Sequence, residues 1–125
     1  MLLWNGIMMR MKSTMIYKKW DIILVPFPFT DLSSSKRRPG LIISPNEYNS
    51  EQDVVILFVT SKVDRQKRVG DYLVSKWKES GFPKPSMVRM KFATIDKSII
   101  VKKIGSLSKI DYENLSDEIR SFFDA

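Results

Sequence analysis

Short apolar runs alternate with turn-forming residues along most of the chain, and this pattern predicts a sheet. β-branched and aromatic residues fill the runs, whereas Gly, Pro, Asn and Ser are frequent in the gaps between them. The predicted strands are Asp21–Phe29, Leu41–Ser44, Val54–Thr60, Tyr72–Trp77, Met87–Ile95 and, continuing the sheet, Ile99–Ile104. Several short strands of this kind indicate a strongly bent sheet or a small barrel.

Only the C-terminal segment has the periodicity of a helix. Leu115, Ile119 and Phe122 recur at helical spacing on one face. Ser108 is suited to the N-cap, and Asp111 falls in the first turn, where the helix dipole favours an acid. We therefore expect a mainly β fold that ends in one helix.

Prolines constrain both ends of the loop that follows the first strand. Pro26 and Pro28 have no N–H to donate to a neighbouring strand, so we expect the first strand to lie partly along an edge. Pro39 disfavours helical geometry at the residue before it, so Arg38 is held extended where the loop meets the second strand. The sequence thus presets the backbone of Arg38.

Composition and charge narrow the chemistry. A chain of 125 residues corresponds to one domain that can bury a core without disulfides. It carries 21 Lys and Arg against 14 Asp and Glu, a formal net charge of +7, which favours a polyanionic partner. It contains no cysteine and no histidine, which excludes thiolate nucleophiles, imidazole acid–base pairs and Cys- or His-ligated metals. Any chemistry must use Arg, Lys, carboxylates and hydroxyls.

The N-terminal residues differ in pattern from the rest of the chain. We expect residues 1–16 to form a flexible extension and residues 17–125 to form the folded domain. No charged leader or small-residue cleavage pattern marks a secretory signal, and no apolar run is long enough to span a bilayer. We therefore expect a cytoplasmic protein that does not enter the membrane.

Three adjacent cations follow the first strand, in the segment FTDLSSSKRRPG. Lys36, Arg37 and Arg38 repel one another, and folding alone does not require them, which points either to an anionic ligand or to a solvated loop. A second basic segment is a solvated loop or a wall that follows a nucleic-acid backbone. It contains Lys62, Arg65, Lys67 and Arg68. We expect the aromatic residues Trp20, Trp77 and Phe82 to lie in the core or an interface rather than to stack on bases.

The hairpin of the second and third strands brings polar groups together. If the second strand pairs antiparallel with Val54–Thr60, a symmetric register places Arg38 opposite Thr60. Ser61 and Lys62 follow directly. A guanidinium, two hydroxyls and an ammonium would then meet at one end of the hairpin, which is the outline of a phosphate site. Taken singly, the two hydroxyl residues are also ordinary turn formers.

Three stretches resemble the MazF/PemK toxin family. DIILVPFPFTDLSSSKRRPGLIIS, residues 21–44, is similar to the opening of that family, with an acidic residue, an apolar strand, a polar loop and an Arg-Pro pair. LFVTSK, residues 57–62, resembles a strand that ends in Thr-Ser, and ATIDKSIIVKKIGSLS, residues 93–108, resembles the entry to the last helix. The resemblance implies a small SH3-like barrel of the CcdB/PemK type with a C-terminal α-helix, usually as a homodimer.

The resemblance also implies a sequence-selective, metal-independent endoribonuclease that is the growth-inhibiting toxin of a toxin–antitoxin pair. In such an enzyme the 2'-hydroxyl of single-stranded RNA attacks the adjacent phosphodiester, which leaves a 2',3'-cyclic phosphate and a 5'-hydroxyl. It needs no cofactor, and its partners are the RNA and an acidic, partly disordered antitoxin. Carried over by motif, Arg38 and Thr60 are the catalytic residues. The expected substrate-binding residues are Asp31, Ser35, Lys36, Arg37, Ser61, Lys62 and Lys91.

The chain departs from the family pattern at three places, and two other functions stay open. Many relatives have glycine at the position of Trp20 and a glutamate where Ser33–Ser35 stand. Others have a glutamine and a basic residue at the positions of Lys91 and Ala93. A toxin of the same fold that acts on DNA gyrase would need no phosphate site at the hairpin. An inactive module would keep its cationic face for nucleic acid or an acidic antitoxin without cleaving RNA.

Overall fold

The computed structural model of the chain describes residues 16–27, 36–64 and 67–125. The strands in these ranges are β1 (Asp21–Pro26), β2 (Arg37–Ile42), β3 (Asp53–Thr60), β4 (Tyr72–Leu73), β5 (Met87–Asp96) and β6 (Lys102–Ser106). The helices are α1 (Asn46–Asn49), α2 (Trp77–Ser80) and α3 (Lys109–Asp124), and a 3-10 turn spans Lys97–Ile99. The predicted N-terminal extension lies outside the described residues except for its last position.

The six described strands form one antiparallel sheet in the order β4-β5-β3-β2-β1-β6. The predicted fold class, mainly β with a small SH3-like barrel of the CcdB/PemK type and a C-terminal helix, is confirmed, and the sheet curls into a half-barrel. β1 pairs with β2 as far as Pro26, whereas β6 accompanies β1 only to Leu24. Pro26 therefore lies where β1 has one neighbour, as expected of a residue without an N–H.

Both faces of the sheet are covered, which explains why the central strands are apolar at successive positions. Side chains alternate between faces along each strand, so Ile22 and its neighbour Ile23 enter different cores. The core on the α3 side contains Ile22, Leu41, Leu57, Val59, Val74, Phe82, Val88, Leu107 and Leu115. The core on the opposite face contains Tyr17, Ile23, Val25, Ile42, Val54, Ile56 and Ile95. Phe82 is buried, and Trp20 and Trp77 pack against the same core, as predicted.

A buried carboxylate ties α3 to the segment that follows β4. Asp111 accepts hydrogen bonds from the Tyr72 hydroxyl at 2.6 Å and from the backbone N–H groups of Ser75 and Lys76 at 2.8 Å. Ser108 is the N-cap residue of α3, and its hydroxyl donates a fourth bond at 2.8 Å. Burial alone would raise the pKa of Asp111, but these four bonds outweigh burial and hold that pKa below its usual value.

The strand predicted over Tyr72–Trp77 is wrong in its second half, since β4 ends at Leu73. The contacts of Asp111 explain this early end. Val74 still donates its N–H to Ser86 of the neighbouring segment, but the next two N–H groups bond to the Asp111 carboxylate instead of a strand. The chain then turns into α2. The expectation of a single helix is also wrong, since α1 and α2 each form one turn. None of the helices in the described ranges combines the length and apolar character needed to cross a bilayer.

Trp20 adopts a backbone conformation that normally favours glycine, with φ 77°. It lies in the turn before β1, where the N–H of Asp21 donates to the carbonyl of Lys18. Its own N–H donates to the carbonyl of Ile42 at 2.7 Å, and its ring stacks on Tyr112 of α3 with centroids 5.5 Å apart. These contacts offset a backbone strain of roughly 1–3 kcal/mol, which accounts for tryptophan at this position.

Candidate nucleic-acid cleavage site

An open cavity of 220 Å³ lies at the ends of β2 and β3, on the face of the sheet opposite α3. Its apolar lining consists of Val25, Phe27, Pro39, Phe58 and Val59. Its polar lining consists of Arg38, Thr60, Lys62, Arg68, Arg89 and Lys91. Among the described residues the lining thus contains five cations and no carboxylate. Such a surface favours an anion with an apolar or planar portion, as in a nucleotide.

Arg38 is placed by its position in β2. It pairs with Val25 of β1, and the following proline keeps its backbone extended. Its guanidinium lies over the ring of Phe27, 5.7 Å from the centroid, where the ring face attracts the cation. None of the ion pairs within the described ranges involves Arg38. No ion pair with a described residue therefore competes with a ligand anion for its hydrogen-bond donors.

Thr60 closes β3 at the same end of the hairpin as Arg38. The β2–β3 register pairs Gly40 with Phe58 and Leu41 with Leu57, and two further steps of this register bring Arg38 opposite Thr60. Both residues line the cavity. The sequence prediction that they share one rim of the hairpin agrees with this arrangement.

The Thr60 hydroxyl has its acceptor side occupied by the chain itself. Its oxygen accepts a hydrogen bond from the backbone N–H of Lys62 at 3.1 Å. This contact fixes the side chain and leaves the hydroxyl proton to donate to a ligand oxygen. Arg38 and Thr60 can therefore offer donors to one anion from two adjacent strands.

The other site residues predicted from the sequence divide into three groups. Lys62 and Lys91 line the cavity with Arg38 and Thr60. Lys36, Arg37 and Ser61 are exposed beside it but are not part of its lining. Arg37 precedes Arg38 in an extended strand, so their side chains leave on opposite faces. Asp31 and Ser35 lie outside the described residues.

Two cations that line the cavity were not among the predicted site residues. Arg68 belongs to the basic segment that the sequence left as either a solvated loop or a groove wall, and it lines the cavity. Arg89 lies on β5, two residues before Lys91. Residues 89, 91, 93 and 95 share one face of an extended strand, and Ala93 and Ile95 pack into the core on the cavity side. This alternation is the signal that could have identified Arg89.

The sequence profile of one family matches most of the chain. The profile describes the PemK-like, MazF-like toxins of type II toxin–antitoxin systems, and it matches residues 18–123. The chain belongs to this family. The matched range contains all the described strands, nearly all of α3 and all residues that line the cavity. No curated protein sequence matches the chain significantly.

Solved structures of MazF-like proteins show the same fold. An endoribonuclease from a mycobacterial species, solved in complex with its cognate antitoxin, superposes with a TM-score of 0.67 at 15% identity and covers 84% of this chain and 92% of its own. Mycobacterium tuberculosis toxin MazF-mt6 gives a TM-score of 0.66 at 22% identity over 83% and 96%. MazF from Deinococcus radiodurans gives 0.67 at 15% identity over 89% and 99%. At these identities the likeness establishes the fold.

Proposed function

We propose that this PemK/MazF-family chain is the endoribonuclease toxin of a type II toxin–antitoxin pair, and that it cleaves single-stranded RNA in the cavity between Arg38 and Thr60. The observation that carries the proposal is the convergence of these two side chains on one cavity whose described lining has cations but no acid. Family membership supports the reaction class. The mycobacterial endoribonuclease of similar fold points in the same direction.

The reaction suits a chain without histidine or cysteine, because the nucleophile belongs to the RNA. The 2'-hydroxyl attacks the adjacent phosphorus, the O2'–P bond forms and the P–O5' bond breaks. The 2'-hydroxyl loses its proton and the leaving 5'-oxygen gains one. The products are a 2',3'-cyclic phosphate and a 5'-hydroxyl, and the protein contributes orientation and stabilisation of the charge on the phosphorane.

Arg38 and Thr60 divide this stabilisation between them. The planar guanidinium of Arg38 can donate two parallel hydrogen bonds to phosphate oxygens, a geometry that the ammonium of lysine lacks. The Thr60 hydroxyl donates to a non-bridging oxygen of the same phosphate. Lys62 and Lys91 add positive charge along the path of the RNA strand.

The partners follow from the same cationic surface. An acidic antitoxin segment would complement the net charge of +7 and the cations of the cavity. The mycobacterial relative in the comparison was solved with its cognate antitoxin, which supports an antitoxin partner here. The homodimer remains a prediction from the family resemblance.

Purified protein is expected to cut single-stranded RNA in the presence of EDTA at the rate observed without the chelator. A gel assay with a long unstructured RNA, run with and without EDTA, measures this directly. Loss of cutting in EDTA that added Mg²⁺ restores would contradict the metal-independent mechanism. Intact RNA with folded wild-type protein would contradict the nuclease, and a supercoiling assay would then test action on DNA gyrase.

A further inference from the structure

We propose that Arg89 is a second phosphate-binding residue of the cavity, which holds another phosphate group of the RNA strand than the one at Arg38, and that the buried carboxylate of Asp71 positions it. This inference rests on the proposed function, because it assigns a role within the same cavity. It adds Arg89 as a substrate-contacting residue and Asp71 as a positioning residue.

An irregularity in the sheet directs two cations of β5 into the cavity. The β3–β5 register pairs Leu57 with Phe92 and Val59 with Val88, so residues 89 to 91 of β5 stand opposite the single residue 58 of β3. β5 thus carries two extra residues, which is an even number, and its faces keep their alternation. Arg89 and Lys91 both face the cavity where a regular ladder would present one side chain.

Arg89 has more hydrogen-bond donors than the described residues satisfy. Its side chain is only 13% exposed, and its contact with a described residue is one loose ion pair of 3.7 Å to Asp71. A guanidinium carries five N–H donors. Arg89 lines the open cavity, so its guanidinium can meet a ligand there. No side-chain nitrogen or oxygen in the described ranges is both sealed from solvent and unpaired, which agrees with this access. Partly buried donors of this kind favour an anionic acceptor.

Asp71 is buried next to Arg89 and is held in place by two hydrogen bonds within its own turn. Its side chain is 2% exposed and accepts the backbone N–H of Arg68 at 2.7 Å, while its own N–H donates to the carbonyl of Arg68 at 3.0 Å. The same carboxylate therefore closes the turn that carries Arg68 and attracts the guanidinium of Arg89. One buried acid organises two of the five cavity cations.

Arg38 and Arg89 lie on strands that are not adjacent in the sheet. β3 lies between β2 and β5, so the backbones that carry Arg38 and Arg89 are two strand spacings apart, about 10 Å. The two side chains line the cavity from strands on either side of β3. They are suited to different phosphate groups of one extended strand, with Arg38 and Thr60 at the cleaved position and Arg89 beside Lys91 at another.

Binding of an uncleavable ligand tests the role of Arg89 separately from catalysis. The probe is a fluorescent single-stranded RNA in which 2'-O-methyl groups replace the 2'-hydroxyls, and fluorescence anisotropy gives its Kd between 50 and 300 mM KCl. Arg89→Gln is expected to weaken binding about 10-fold at the lower salt and to reduce the slope of log K against log salt by about 0.7, as for one lost phosphate contact. Arg120→Gln, on the exposed face of α3, is expected to bind as wild type does.

Two further variants separate phosphate contact from a structural role. Arg89→Lys keeps the charge and loses the planar fork, so it should retain the wild-type salt slope while binding less tightly. Asp71→Asn keeps an amide oxygen that can accept the N–H of Arg68 but loses the charge that attracts Arg89. It should therefore weaken binding in the wild-type background and have no further effect in the Arg89→Gln background. Equal losses in both backgrounds would overturn the positioning role of Asp71.

Wild-type affinity and salt slope in Arg89→Gln would overturn the proposal for Arg89. That result would leave the nuclease function intact if wild-type protein still cuts cleavable RNA. Conversely, wild-type protein that does not cut RNA but loses affinity for the probe through Arg89→Gln would refute the nuclease function and support the phosphate-binding role. Circular dichroism and thermal unfolding of each variant confirm that folded protein is compared.

Discussion

Replacing Arg38 with alanine is expected to lower kcat/KM for RNA cleavage by at least about 10²–10³-fold, the usual cost of losing one preorganised donor to a transition-state oxyanion. The charge that builds on the phosphorane oxygens would lose its bidentate partner, and the other cations of the cavity lack a planar fork or lie across the sheet. Steady-state cleavage of a fluorogenic RNA measures the effect. The thermal midpoint should change little, because Arg38 is half-exposed and makes no ion pair with the described residues.

Two matched variants separate this role from general electrostatics. Arg38→Lys keeps the charge and should recover only a small part of the activity, because an ammonium cannot make the paired contact. Arg120→Ala removes an equal charge from the exposed face of α3 and should leave cleavage unchanged. Cleavage by Arg38→Ala within a few-fold of wild type would contradict the assignment of the phosphate contact to Arg38.

Replacing Asp111 with alanine is expected to lower the free energy of unfolding by about 3–5 kcal/mol, because its bonding partners lose their acceptor in the protein interior. For a domain of this size the thermal midpoint should fall by about 10–20 °C. Urea denaturation and calorimetry measure the two quantities. Asp117→Ala on the same helix is the control, since that side chain is 78% exposed, and it should change stability by less than about 0.5 kcal/mol.

Asp111 should also limit stability in acid. Its folded-state pKa lies below the ordinary value of 3.8, so its contribution is fully present above the unfolded-state pKa and is lost as the pH falls through the folded-state pKa. Between pH 5 and pH 2, wild type should therefore lose more stability than Asp111→Asn, which cannot titrate at that position. Parallel pH curves for the two proteins would show that Asp111 does not set the acid limit.

The sequence was sufficient for the parts of the fold that depend on local chemistry. Apolar runs with β-branched residues predicted the central strands, and helical spacing predicted α3 with its buried Leu115. Pro39 and the polar segment between β2 and β3 predicted an antiparallel hairpin, and its symmetric register agrees with the observed pairing of Leu41 with Leu57. Family motifs then predicted Arg38 and Thr60, which line one cavity.

The features that were missed depend on contacts between distant parts of the chain. The residues near Ser75 and Lys76 do not indicate that Asp111, more than thirty residues later, accepts their N–H groups and so ends β4. Alternation along β5 could have placed Arg89 on the face of Lys91. Its contact with Asp71 and the irregular β3–β5 register could not be predicted, because they depend on the pairing of separate segments. Local patterns predict elements, whereas such long-range bonds decide where an element ends and which cations meet.

Arg38 and Thr60 should contact the same phosphate group, and the crystal structure of an RNA complex tests this most directly. The ligand is a short single-stranded RNA with a 2'-deoxy nucleotide at the cleaved position, so that it binds but cannot react. We expect one phosphate with oxygens about 2.7–3.2 Å from both the Arg38 guanidinium and the Thr60 hydroxyl. A phosphate bound to neither side chain, or RNA lying on the α3 face of the sheet, would contradict the proposed site.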